Sequence, residues 1–97
     1  MDIKKIVYFA AFFDAEGYVG HGFNERIEIR IANTYLPVLE QLKNFYDGHI
    51  YKRRITPKRH KFVYDWVITK QEDVIAFLLE IRPYLLEKKK RVESLLS

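Results

Sequence analysis

The chain has 97 residues, no cysteine and a formal net charge of +4. That length suffices for one domain with one modest core, and the absence of thiols excludes disulfides and any thiolate metal site. The charge is uneven: residues 1–50 hold 5 Lys/Arg against 7 Asp/Glu, and residues 51–97 hold 12 against 6, which suggests a polyanionic partner.

The first predicted element is a helix over residues 4–14. Ile6, Phe9, Ala10 and Phe13 form one stripe, while Val7 and Ala11 line another, so the helix lacks a polar face. Its longest apolar run, residues 6–13, is too short to cross a bilayer. Acids follow it rather than a small-residue cleavage site, so a protein that is neither secreted nor membrane-bound is expected. Gly17 stands where a helix stop belongs.

Residues 26–33, "RIEIRIAN", alternate Ile27, Ile29 and Ile31 with Arg26, Glu28 and Arg30, the pattern of a strand with one buried and one charged face. Residues 18–23 are expected to be its antiparallel partner, although Gly20 and Gly22 weaken a strand there. A second helix follows, with Thr34 as N-cap, Pro37 in the first turn and Asp47-Gly48 as its end. Its buried stripe is predicted as Val38, Leu39, Leu42 and Phe45. Residues 49–55 and 61–69 read as a second strand pair, with Phe62, Tyr64, Trp66 and Ile68 on one face. Thr69 and Glu72 form a capping-box pattern for a third helix that buries Val74, Phe77, Leu78 and Ile81. After Pro83 a last helix is expected over residues 84–96.

The order α-β-β-α-β-β-α-α implies an α+β fold, with helices on one face of a four-stranded antiparallel sheet. The other face would carry Arg26, Glu28, Arg30, His49, Tyr51, Arg53, Asp65 and Val67, a polar surface that is either solvated or laid against something. Residues 51–61, "YKRRITPKRHK", hold six Lys/Arg and no acid. They read as a basic hairpin tip for phosphates, with Lys58 and Arg59 at the tip and Arg53 and Lys61 nearest a groove; a merely solvated hairpin is the alternative. His21, His49 and His60 show no ligand spacing.

The first helix poses two questions. An all-apolar helix must be covered all round. Either it is an ordinary central core helix, or its second side meets another copy of the chain through Val7, Ala10 and Ala11, with Asp14 at the end of that contact. The acids Asp14 and Glu16 also stand at the helix end that disfavours negative charge. Across a two-fold axis, copies of Glu16 roughly 4 Å apart would repel by about 4 kcal/mol at an effective dielectric near 20. A hard divalent cation such as Mg²⁺ reverses both penalties; plain solvated turn residues are the other reading.

The stretch "FAAFFDAEG", residues 9–17, resembles the nine-residue signature of the LAGLIDADG homing endonucleases: an apolar residue, two small ones, two apolar, Asp, Ala, an acid and Gly. The strand–strand–helix unit after it, the pattern "IANTYLPVLEQLKNFYDGHI" and "PYLLEKKKR" near the end are similar too, so the likeness covers nearly the whole chain as a single domain, 1–97. The resemblance implies an αββαββα fold whose saddle-shaped sheet lies in the major groove of duplex DNA. With one motif it implies a homodimer built on the motif helices, and a sequence-specific, Mg²⁺-dependent endonuclease. It implies Glu16 as metal ligand with the Ala15 carbonyl beside it, and Asp14 as mostly structural. By the same resemblance Asn33 falls at the end of the second strand where a Gln or Asn serves catalysis. For the lysine at the end of the fourth strand, Lys70 is the nearest base. A maturase-like RNA-binding splicing factor and a DNA-binding module that does not cleave are the competing functions.

Overall fold

A computed structural model of the chain describes residues 2–56 and 61–97. The elements run α1 (Ile3–Glu16), β1 (Gly17–His21), a 3₁₀ turn (Phe23–Glu25), β2 (Ile27–Asn33), α2 (Leu36–Tyr46), β3 (His49–Thr56), β4 (Lys61–Ile68), α3 (Gln71–Ile81), a second 3₁₀ turn (Arg82–Tyr84) and α4 (Lys89–Leu96). The four strands form one antiparallel sheet in the order β1-β2-β4-β3. The α+β class and the expected element order are therefore observed. Among the described residues no helix is long and apolar enough to cross a membrane.

The core lies between the sheet and the helices. Ile29, Ile31, Trp66 and Ile68 project from one sheet face onto Phe9 and Phe13 of α1, Leu39 and Leu42 of α2, and Phe77, Leu78 and Ile81 of α3; all of these are buried. Phe77 is the centre of an aromatic cluster, meeting Tyr46, Trp66 and Phe13 edge-on at centroid distances of 4.7, 5.3 and 5.5 Å. Edge-to-face contacts at such spacings favour the positive ring edge on the negative ring face. The stripe Val74, Phe77, Leu78 and Ile81 of α3 is buried as its spacing predicts.

Several boundaries differ from expectation, each for a local reason. In α2 the buried aromatic is Tyr46, and Phe45 is exposed. Val38, Leu42 and Tyr46 follow one another at four-residue steps on a single face, and the Tyr46 hydroxyl donates to Glu80 at 3.0 Å. Burial, with this hydrogen bond next, pushes the phenol well above its usual range. Tyr35, not Thr34, is the N-cap of α2, and its amide donates to Asn33 Oδ1 at 2.8 Å. The Thr69–Glu72 capping box is not formed: Lys70 is the N-cap of α3 and makes no side-chain cap. The Gln71 amide is used instead. It accepts from the Ile27 amide at 2.9 Å and donates to the carbonyls of Ile27 and Thr69 at 2.8 Å, tying the start of α3 to the start of β2.

β1 ends at His21 rather than reaching residue 23, because Asn24 and Glu25 take φ of 58° and 59°, which turns the chain sharply. The last helix begins at Lys89, not at residue 84; the intervening residues are claimed by Asp14. At the end of α2, Gly48 has φ +91°, and a Cβ there would lie 2.7 Å from the Val67 carbonyl oxygen. That close approach lets Trp66 Nε1 donate to the Asp47 carbonyl at 2.8 Å.

Candidate active site and nucleic-acid interface

The C-terminal end of α1 is assembled from two distant parts of the chain. The Asp14 carboxylate accepts from the amides of Leu86 at 2.9 Å and Glu87 at 3.0 Å through Oδ2, and from the Lys88 amide at 2.8 Å through Oδ1. Lys88 Nζ donates to the Asp14 backbone carbonyl at 2.6 Å. Burial alone would raise the Asp14 carboxyl, which is 9% exposed, but the three amides and the Lys88 charge outweigh it and hold the group below the usual carboxylate range. The ammonium also meets the partial negative charge of the helix end. Gly17 follows with an extended backbone, φ −88° and ψ 166°, so it is not a left-handed helix stop. Its role is close approach: a Cβ would lie 2.7 Å from the Phe13 carbonyl oxygen and collide with the Phe13 ring.

This arrangement separates the two acids of the motif. Asp14 is consumed by its own chain, while Glu16 is exposed at the helix end beside the exposed Ala15. The Ala15 carbonyl belongs to the last turn, where the backbone provides no intrahelical amide partner. Among the described residues no three His, Cys, Asp or Glu side chains gather to hold a metal. One chain thus supplies one hard carboxylate and a neighbouring carbonyl, donors that suit an oxygen-loving cation which takes its other ligands from outside this chain.

The two other residues expected at this site diverge. Gly17 pairs with Ile31, so Asn33, two residues on, stands at the Glu16 end of the sheet; its Oδ1 is engaged by the Tyr35 amide. Lys70 stands at the opposite end. It follows Ile68, which pairs with Ile29, and its neighbour Gln71 is bound to Ile27. The step along β2 from Ile27 to Ile31 is roughly 13 Å at about 3.3 Å per residue, so Lys70 is corrected as a partner of Glu16. The lysine that the fold does bring to the end of α1 is Lys88, which the pattern of the fourth strand could not reveal. The signals available were the "EKKKR" run and a helix-terminal Asp in need of donors.

The proposed self-contact surface is also redistributed. Ala10 is 0% exposed and Asp14 nearly so, because both lie on the face of α1 turned to its own core. They are therefore corrected as interface residues. Val7, at 42% exposed, and Ala11 remain on the open face, in line with Ile3 and Ala15 at four-residue steps. Leu86, 87% exposed, and Tyr84 flank this stripe, where Ala11 and Ala15 line a hollow with them.

The outer sheet face is ordered in cross-strand rungs. Tyr18, Arg30, Val67 and His49 form one across all four strands, Ala32, Asp65 and Tyr51 another, and Arg53 stands opposite Val63. Glu28, opposite Gly20, is 3.9 Å from Arg30. Arg26 precedes β2 at the end of the first 3₁₀ turn. Asp65 departs from expectation: it is 2% exposed and doubly bonded to Arg53, so it offers nothing to a ligand directly. The Asp65 carboxylate, by hydrogen bond and then by charge, raises Arg53 above its ordinary value. Lys58 and Arg59 lie outside the described residues, as does the side chain of Lys61, whose backbone opens β4.

Residues 4–82 match the family model of the LAGLIDADG-like domain. The chain belongs to this family. Solved structures of homing endonucleases share the fold. An archaeal intron-encoded homing endonuclease, I-Vdi141I, complexed with DNA, aligns over 98% of this chain at TM-score 0.75 and 20% identity. The homing endonuclease I-CvuI, in complex with its target in the presence of Ca, aligns over 93% at 0.76 and 16%. The meganuclease I-SmaMI bound to uncleaveable DNA aligns over 98% at 0.70 and 14%. The chain spans 66%, 62% and 36% of these three chains, respectively.

Proposed function

We propose that the chain, as one LAGLIDADG domain over residues 1–97, is a sequence-specific double-strand DNA endonuclease that acts as a homodimer with Mg²⁺. The observation that carries this reading is the division of labour at the end of α1. Asp14 is fixed internally by three amides, whereas Glu16 stands exposed next to an exposed stripe of Val7 and Ala11. A second copy docked on that stripe brings two Glu16 carboxylates together, which only a bound cation makes favourable.

Glu16 and the Ala15 carbonyl would hold the ion. Bound there, the ion would supply activation of water and charge relief in phosphodiester hydrolysis. Lys88 adds positive charge beside the phosphate, and Asn33 orients polar groups at the same sheet end. Arg26, Glu28, Arg30, His49, Tyr51 and Arg53 on the outer face, with Lys58, Arg59 and Lys61 of the hairpin, form the duplex-binding surface. Phosphate contacts there set affinity and base contacts set specificity.

The test uses supercoiled DNA carrying the gene's own locus without the insertion, incubated with the protein with and without Mg²⁺. Linear product in Mg²⁺ alone supports the reading. Tight binding with no cleavage at any Mg²⁺ concentration makes the chain a non-cleaving DNA-binding module, and binding to the intron RNA instead makes it a splicing factor.

A further inference from the structure

The outer sheet face holds one carboxylate that water does not reach. Asp65, 2% exposed, sits on β4 between Ala32 of β2 and Tyr51 of β3. Arg53, two residues along β3 from Tyr51, returns to it: Nε bonds Oδ2, and Nη2 bonds Oδ1 at 3.1 Å. A two-point grip of this kind fixes both the position and the plane of a guanidinium. It occupies the Nε edge. The edge between Nη1 and Nη2 keeps two parallel N–H donors, and the Arg53 side chain is 55% exposed, so these remain accessible on the basic face.

Two parallel donors match O6 and N7 of guanine in the major groove; adenine, thymine and cytosine present no such pair of acceptors there. The charge of this pair is also cancelled locally, so it is poorly suited to hold phosphate. Resting on the reading of this face as a duplex-DNA surface, the geometry points to Arg53 as a guanine reader and to Asp65 as the residue that positions it. Asp65 touches no base. Its burial makes the orientation durable, because release of Arg53 would leave a carboxylate buried and unpaired. The pair is thus set before DNA arrives, and its effect falls on sequence preference rather than on the electrostatic part of affinity.

The experiment selects binding sites from a randomised duplex library with wild type, Arg53→Lys and Asp65→Asn, without divalent metal so that bound DNA stays intact. Thermal melting is run on each protein. Wild type is expected to select a guanine at one fixed position. Arg53→Lys, which keeps the charge but loses the fork, should reduce that preference about tenfold or more. Asp65→Asn should reduce it as well, with preferences at other positions and the salt dependence of binding unchanged. A purely structural ion pair would alter melting without moving the preference at one base pair. An unchanged guanine preference in Arg53→Lys overturns the assignment, as does a wild type that selects no fixed guanine. Loss in Arg53→Lys with full retention in a folded Asp65→Asn overturns the positioning role. A wild type that retains no duplex at all fails the DNA-binding reading itself, and the assignment falls with it.

Discussion

Lys88 is held twice by Asp14, 74 positions earlier in the chain: its amide donates to the Asp14 carboxylate at 2.8 Å and its Nζ to the Asp14 carbonyl at 2.6 Å. A buried carboxylate surrounded by amides is stable only because those amides are fixed, and they are fixed only because the carboxylate is there. The end of α1 and the chain ahead of α4 therefore form one cooperative unit. Its integrity sets where Glu16 stands.

Removal of this acceptor is expected to destabilise the fold. Asp14→Ala leaves three amides without their partner and should cost about 3 kcal/mol, since bonds to a charged group are each worth about 1.5–3 and are not additive. The corresponding loss in melting temperature is roughly 12–24 °C for a chain of this size. Asp14→Asn keeps one acceptor oxygen and should cost less. The folded carboxyl lies below its unfolded value, so its contribution is complete above about pH 4 and is lost as pH falls through the folded value. Melting of wild type should thus weaken below about pH 4 more steeply than that of Asp14→Asn. Equal slopes would mean that the carboxylate is not the linked group.

The same relationship shows what a sequence conceals. The stripe of α3 and the alternation of β2 were legible because each is decided by local periodicity against one core. The chain at 85–88 was not, because "PYLLEKKKR" is compatible with a helix until an acceptor elsewhere claims three consecutive amides. Gln71 is a similar case: its amide bonds Ile27, 44 residues away, and displaces a capping box that local spacing favoured. At the end of α1, the motif singled out Glu16, and the fold leaves it exposed there. The lysine beside that helix end was not legible, because Lys70 and Lys88 can be told apart only by the end of the sheet at which each lies. The burial of Asp65 depended on the central place of β4 between β2 and β3, which no single strand pattern contains.

Two alanines adjacent in sequence should behave oppositely. Ala11→Arg puts a charge on the open face of α1 and is expected to give a folded monomer. Ala10→Arg forces a charge into the core and should not fold, because a buried unpaired charge costs several kcal/mol. Sedimentation and circular dichroism at micromolar concentration distinguish the cases. A monomeric wild type would remove the self-contact.

The hairpin should contribute charge rather than sequence preference. Replacement of Lys58 and Arg59 by Ala is expected to flatten the log–log salt dependence of duplex binding by about 2, at near 0.9 for each phosphate no longer neutralised. An unchanged slope would exclude these side chains from the phosphates.

Glu16→Gln should abolish cleavage in Mg²⁺ while metal-free duplex binding persists or tightens. The change keeps shape and an oxygen but removes the charge that holds the cation and the repulsion between two copies. Nicking near the wild-type rate would make the metal assignment wrong.

The two lysines provide the sharpest comparison. Lys70→Met alters an exposed residue at the far end of the sheet and should leave cleavage within a few-fold of wild type. Lys88→Met keeps the backbone amide that binds Asp14 but removes the ammonium from the end of α1. Its melting temperature should fall only modestly, because the three amide bonds to the carboxylate remain. Its cleavage rate should fall about a hundredfold or more, as is usual when one charge-stabilising group is removed from a site of this kind. Rate and melting measured on the same preparations separate loss of chemistry from loss of fold. A Lys88→Met protein that cleaves normally, beside a Lys70→Met protein that does not, would return the catalytic role to the end of β4.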